Sequence, residues 1–170
     1  MGTRTSELKV PTVAVAVRVT LAGAEPAPVE MFVPDVAGRG HARLLDNLAS
    51  QLAADAGFLP VRAAGRVRLL GKHAIAWVSI GRYGDAAAPV EPAEIPEELT
   101  LFDHQHFVEV ELLQGAKLIG TLLDSAPVEH ARLGDHLNRS GGWLRLWTTD
   151  QHYLINAMHV ISVAELGEVW

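Results

Sequence analysis

The sequence predicts a mainly β chain built from two tandem copies of one β-rich unit, with a single amphipathic helix in the first copy. Three observations carry this. Residues 41–48 read His-Ala-Arg-Leu-Leu-Asp-Asn-Leu and residues 130–137 read His-Ala-Arg-Leu-Gly-Asp-His-Leu, agreeing at six of eight positions. The segments flanking the two octets match in type and order. Those segments alternate apolar and polar residues with period two, the pattern of half-buried strands.

Before the first octet lies Val17-Arg18-Val19-Thr20-Leu21, and before the second Val108-Glu109-Val110-Glu111-Leu112. Each passes through a Gly-containing turn (Gly23; Gln114-Gly115) into a second apolar stretch, Val29 to Val33 or Leu118 to Leu123. After the first octet, Leu44, Leu45, Leu48 and Leu52 recur at helical spacing and predict a helix over 42–56 ending at Gly57. In the second copy Ser140-Gly141-Gly142 cuts this short, so only a turn or one helical turn is expected there. A third strand follows in each copy, Phe58 to Val61 against Trp143 to Leu146. Pro60 lacks the N–H of a ladder donor, which places its strand at an edge or at a strand start. The closing segments, 69–78 and 154–163, carry Gly71 and Asn156 at the same place, where both residues tolerate a tight turn with positive φ.

The expected organisation is a first repeat over 10–80, a linker over 81–105 and a second repeat over 106–166. The linker contains Pro89, Pro92 and Pro96 with Glu91, Glu94, Glu97 and Glu98. The second copy carries Arg132-Leu133-Gly134-Asp135-His136-Leu137-Asn138 and closes with Leu154-Ile155-Asn156-Ala157-Met158-His159-Val160-Ile161-Ser162-Val163. This cadence resembles small uncharacterised bacterial proteins with an R-L-x-D-x-L-N stretch and a final I-N-x-x-H-I-x-x-V strand pair. More distantly it resembles Sm-like and SH3-like small β-barrels. The resemblance covers 106–166 well and 12–80 more loosely. It implies two tandem small β-barrel-like repeats, each a strongly bent sheet of about five strands, and fixes no activity.

Composition narrows the function classes. The 170 residues include 14 Lys+Arg against 20 Asp+Glu, a net charge of −6. That balance argues against a general nucleic-acid binder. No cysteine is present, which removes disulfides, thiolate metal sites and a cysteine nucleophile. The Val10–Leu21 run is interrupted by Pro11 and Arg18 and is too short to span a bilayer, so a cytoplasmic protein without a membrane partner is expected. There is no Gly-x-Ser-x-Gly elbow and no phosphate-binding Gly loop, so no enzyme and no cofactor are expected.

The expectation is a non-catalytic binding or scaffold module, either a protein–protein adaptor or a self-assembling subunit. Trp143, Arg145, Trp147 and Trp170 are its candidate partner-binding residues, because Trp and Arg concentrate at interface hot spots. Arg62, Arg66, Arg68 and Arg139 carry the alternative of a single-stranded nucleic-acid surface, in which Arg and aromatic side chains stack on bases. His104 and His106, two apart on a strand, share a face and are weak metal candidates for a sensor. His41, Arg43 and Asp46 recur as His130, Arg132 and Asp135. Two equivalent catalytic trios in one duplicated unit would be unusual, so these six read as structural: Asp accepts from backbone N–H groups and Arg pairs with carboxylates.

Overall fold

The computed structural model describes residues 11–35, 41–81, 104–124 and 132–167. In the first half, β1 (Thr12–Leu21) turns at Gly23 (φ 73°) into β2 (Ala27–Pro34). Then follow α1 (His41–Ala53), β3 (Phe58–Ala63), β4 (Arg66–Gly71), a 3-10 turn (Lys72–Ala74) and β5 (Ile75–Gly81). In the second half β6 (His104–Leu112) and β7 (Lys117–Asp124) precede α2 (Leu133–Arg139), β8 (Trp143–Trp147) and β9 (Gln151–Asn156). A second 3-10 turn (Ala157–His159) leads into β10 (Val160–Glu165).

The described strands form one ten-stranded antiparallel sheet in the order β10-β6-β7-β8-β9-β5-β1-β2-β3-β4. Within each half the order is the same: fifth, first, second, third, fourth strand. The registers agree as well, with Val19 opposite Ala27 as Val110 is opposite Leu118, and Leu59 opposite Leu70 as Leu144 is opposite Ile155. Two separate small barrel-like repeats are the expectation; the described strands instead run on as one sheet that does not close, and the outer side of β5 is taken by β9 and not by its own β4.

Two apolar cores result. The first gathers Val17, Val19, Met31, Val33, Leu59, Val61, Ile75 and Val78 under the Leu45, Leu48 and Leu52 face of α1. The second gathers Val108, Val110, Leu112, Leu122, Leu144, Leu146 and Ile155. The strands at the seam serve both. Leu154 of β9 packs in the first core, while Trp77 of β5 packs against the second. Alternate residues of a strand point to opposite faces, so Leu154 and Ile155 reach different cores.

Four further expectations are corrected in detail. The helix runs over His41–Ala53, three residues short of 56. Lys72 sets that end: its Nζ donates to the carbonyls of Gln51 (2.6 Å) and Ala54 (2.8 Å), a cation on the last-turn carbonyls. Burial lowers the pKa of this amine, opposed by the Asp55 carboxylate. Lys72→Met is expected to cost about 2 kcal/mol, since charge-assisted hydrogen bonds are lost, read as a lower denaturant midpoint at unchanged m.

Second, α2 is a seven-residue helix rather than a single turn; Gly141 (φ 66°) and Gly142 (φ 91°) follow it. Third, β3 is not an edge. Its ladder with β2 reaches only Arg62 and Val61, so Pro60 lies past the end of that ladder and costs no bond there. The edge is β4. Fourth, Gly71 and Asn156 have φ of −68° and −71°, so neither supplies a left-handed turn. At Gly71 a Cβ would meet the far end of the exposed His73 ring (2.6 Å), which can rotate away, so neither a left-handed turn nor crowding accounts for this glycine. Asn156 is there for its side chain, as shown below.

The β3–β4 hairpin turns through Ala64 (φ 49°) and Gly65 (φ 73°), both left-handed, as a two-residue type I′ turn requires. Alanine is costly in that conformation. Ala64→Asn is expected to stabilise by about 1 kcal/mol, with a raised melting temperature as the readout.

Candidate functional site

The seam between the halves is a strand junction with its own polar network. Trp77, Val78, Ser79, Ile80 and Gly81 of β5 lie opposite Ile155, Leu154, Tyr153, His152 and Gln151 of β9. At its end Asn156 Nδ2 donates to the carbonyls of Ile75 (3.0 Å) and Lys72 (3.4 Å), while its Oδ1 accepts from the Met158 N–H (3.0 Å). One amide thereby holds the 3-10 turn of its own half and the turn of the other half. His159 adds a bond from Nε2 to the His73 carbonyl (2.8 Å). A carbonyl only accepts, so Nε2 carries the proton and Nδ1 accepts from Gln114 Nε2 (3.1 Å). Burial desolvates the Tyr153 phenol and pushes its pKa up, with the Asp150 carboxylate acting in the same direction.

The two ends of the sheet are different in kind. The β4 edge exposes Val67 (62%) and Leu69 (68%), alternating with Arg66 and Arg68, with Phe58 of the neighbouring β3 also open to solvent. The β10 edge exposes Ile161 beside Ser162, Ala164 and Glu165. Each edge strand has a row of backbone N–H and C=O groups on its outer side, a ready surface for strand addition. A shallow cavity of about 350 Å³ lies elsewhere, on the face over β1, β2 and the seam. Its polar lining is Arg18, Glu30, Arg62, Ser79 and Gln151.

The expected site residues are dispersed. Trp143 is half-buried against the first core, and Trp147 is 7% exposed and packs edge-on against the His152 ring. Arg145 Nη1 reaches Asp46 Oδ1 of α1 at 2.6 Å, an exposed pair that ties the helix of one half to a strand of the other. Such a pair contributes below about 1 kcal/mol. Arg62 is held by Glu30 (3.0 Å) and lies 5.1 Å over the Phe32 ring. Arg139 Nε donates to the Asp135 carbonyl within α2, and Arg132 caps that helix through its backbone. Arg66 and Arg68 stand exposed on β4, apart from Arg139 on α2.

His106 Nδ1 is 3.2 Å from Glu165 Oε1, which ties β10 to β6, and its ring stacks on His136 at 6.5 Å. Among the described residues no group of three or more His, Asp or Glu side chains is placed to hold a metal. His130 and Trp170 lie outside the described residues, as do the side chains of His41, Arg43 and His104 and residues 82–103 of the expected linker. Asn156, His159 and Leu69 were not singled out by sequence pattern as contact residues. The signal available for Asn156 was its pairing with Gly71 in the repeat alignment.

Among the described residues no helix is long and apolar enough to cross a membrane. Comparison with protein-family models, with curated proteins and with solved structures gives no match to this chain.

Proposed function

We propose that this chain is a non-catalytic binding or scaffold module of the cytoplasm, a protein–protein adaptor or self-assembling subunit, whose contact elements are its two open sheet edges. The observation that carries this is the β4 edge, where Val67 and Leu69 are exposed on a strand whose outer side meets no other described strand. Natural sheets usually blunt such an edge with charge or proline, or cover it. Here Arg66 and Arg68 alternate with the apolar pair, so their charges project from the opposite face of the strand and leave the Val67 and Leu69 face apolar.

Two small β repeats of the Sm/SH3 type, over 10–80 and 106–166, fit this reading. The common strand order, the shared registers and the 3-10 turn at the same place in both halves support a duplication. A duplicated binding unit joined edge to edge leaves one edge of each kind free.

Proximity labelling in the source cell tests the reading, comparing the wild-type chain with the Val67→Lys/Leu69→Lys double variant. Both positions are exposed, so the fold is retained. The expected result is a set of labelled neighbours, this chain included among the possible ones, that the variant loses. An unchanged profile would remove the edge from the function.

A further inference from the structure

The internal seam shows how one half of this chain joins another, and the two edges left open among the described strands are the equivalent pair of strands. In the first half β4 holds the place that β9 holds in the second: Leu70 faces Leu59 as Ile155 faces Leu144. Leu69 therefore stands for Leu154. Leu154 is 1% exposed because the other half's core receives it, whereas Leu69 is 68% exposed. Likewise β10 stands for β5, since each follows a 3-10 turn by one residue step. Ser162, Val163 and Ala164 then stand for Trp77, Val78 and Ser79. Val163 packs on the second core as Val78 packs in the first.

We propose that β4 of one copy adds antiparallel to β10 of a second copy, with Leu70 opposite Ser162, Leu69 opposite Val163 and Arg68 opposite Ala164. This inference rests on the edge-binding reading and commits it to one partner, this chain itself. The seam supplies the register. Charge supplies a second argument. Ala164 and Ser162 are paired on their other side with Glu109 and Glu111 of β6. Residues directly opposite across a sheet share a face, so Arg68 lies in line with Ala164 and Glu109, two strand spacings or about 9.5 Å from that carboxylate's strand. Ala164 is small, so the Arg68 guanidinium passes over it toward Glu109, which among the described residues accepts from the exposed Lys117 (2.8 Å). Arg66 extends the same row.

The contact uses two unlike edges, so each added copy leaves one edge of each kind free. Such a head-to-tail interface grows into a ring if the rotation closes and a filament if it does not. It is also weaker than the seam. Gly71 stands where Asn156 stands, so the bonds that Asn156 makes to the neighbouring turn have no counterpart. Association is therefore concentration-dependent, while the internal seam stays intact.

Sedimentation velocity on the full chain tests this with two edge variants, Leu69→Lys for β4 and Ala164→Arg for β10. Both alter exposed positions, and unchanged melting curves verify the fold. The wild type is expected to rise above the 18.3 kDa monomer mass as concentration increases. Each variant alone is expected to stay monomeric. Their mixture is expected to give a two-chain species and nothing larger, because each variant keeps one working edge and the two are complementary. A wild type that is monomeric at every concentration overturns the proposal, as does continued association of Leu69→Lys or a mixture that stays monomeric. If the wild type is monomeric while labelling still depends on Val67 and Leu69, edge binding stands and the partner is another protein.

Discussion

Replacing Gly120 by alanine is expected to lower the melting temperature by about 6–12 °C, at a cost of about 3 kcal/mol. Gly120 lies on β7 opposite Val108, next to the place where β7 meets β8. A Cβ built there sits 2.4 Å from the Trp147 carbonyl oxygen, and 3.1 Å from both Leu146 Cγ and Thr148 Cγ2. The nearest obstacle is backbone, so no rotamer change relieves it. The β7–β8 ladder is only two pairs long, Thr121 with Trp147 and Leu122 with Leu146. Moving β8 away would break that ladder and open the second core at Leu122 and Leu146. The equivalent position in the first half is Val29, opposite Val17. Val29→Gly is expected to do the reverse of relief there, because it removes a side chain packed on the first core. Thermal denaturation followed by circular dichroism measures both. A Gly120→Ala chain that melts with the wild type would show that β8 yields at no cost.

Asn156→Ala is expected to cost about 3 kcal/mol. The substitution removes three hydrogen bonds at once: it takes the amide away from the Ile75 carbonyl and the Met158 N–H, while the Lys72 carbonyl keeps the Ile75 N–H that closes the 3-10 turn. Leaving a buried polar group unsatisfied costs about 1–3 kcal/mol, and Asn156 is itself buried. Asn156→Asp is expected to be at least as damaging. A carboxylate keeps the bond from Met158 but turns acceptor oxygens toward two carbonyls, which can only accept. Hydrogen exchange separates a seam effect from a general one. Protection is expected to fall first along β5 and β9, at Trp77 to Gly81 and Gln151 to Ile155. Uniform loss over the whole sheet would mean that Asn156 supports the fold at large and not the seam.

Much of this architecture is legible in the sequence because it follows from local periodicity. The alternation in Val17–Leu21 and Val108–Leu112 marks β1 and β6, and the Leu45, Leu48 and Leu52 spacing marks α1. The octet match aligns the two halves so that Leu59 and Leu144 fall at equivalent registers. What the pattern does not carry is which strand meets which across the halves. Nothing in the alternation of Ile75–Gly81 says that its outer side belongs to β9 rather than to its own β4. That choice depends on backbone pairing over 70 or more residues, where side-chain periodicity is silent. Pro60 misleads for a related reason: a missing N–H marks a place without a ladder bond, and a short neighbouring ladder provides one inside a sheet.

The contact residues were harder to read than the strands. Trp143 and Trp147 attract attention by type, yet Trp147 is a core group. Leu69 looks like any core leucine in a strand, and only its position on the last strand of the sheet leaves it in solvent. Asn156 and Gly71 align as turn residues, yet both have negative φ, and only Asn156 has a side chain that bonds across the seam.

The shared seam has a consequence for the order of events during synthesis. The first half has all its own strands once Gly81 has emerged, but Leu154, which its core also requires, comes 73 residues later. At ribosomal speeds that is a wait of about 4–15 s. Through that interval the outer edge of β5, with the sequence Ile-Ala-Trp-Val-Ser-Ile-Gly, has no strand of its own chain to meet. An apolar, uncharged edge of that length is a sticky surface for another nascent chain. Neighbouring ribosomes on one message hold the same β5 at staggered stages, so a finished β9 from the leading chain is the nearest competitor for the trailing one. Slow initiation, which spaces the ribosomes apart, would favour the intramolecular seam over an exchanged one.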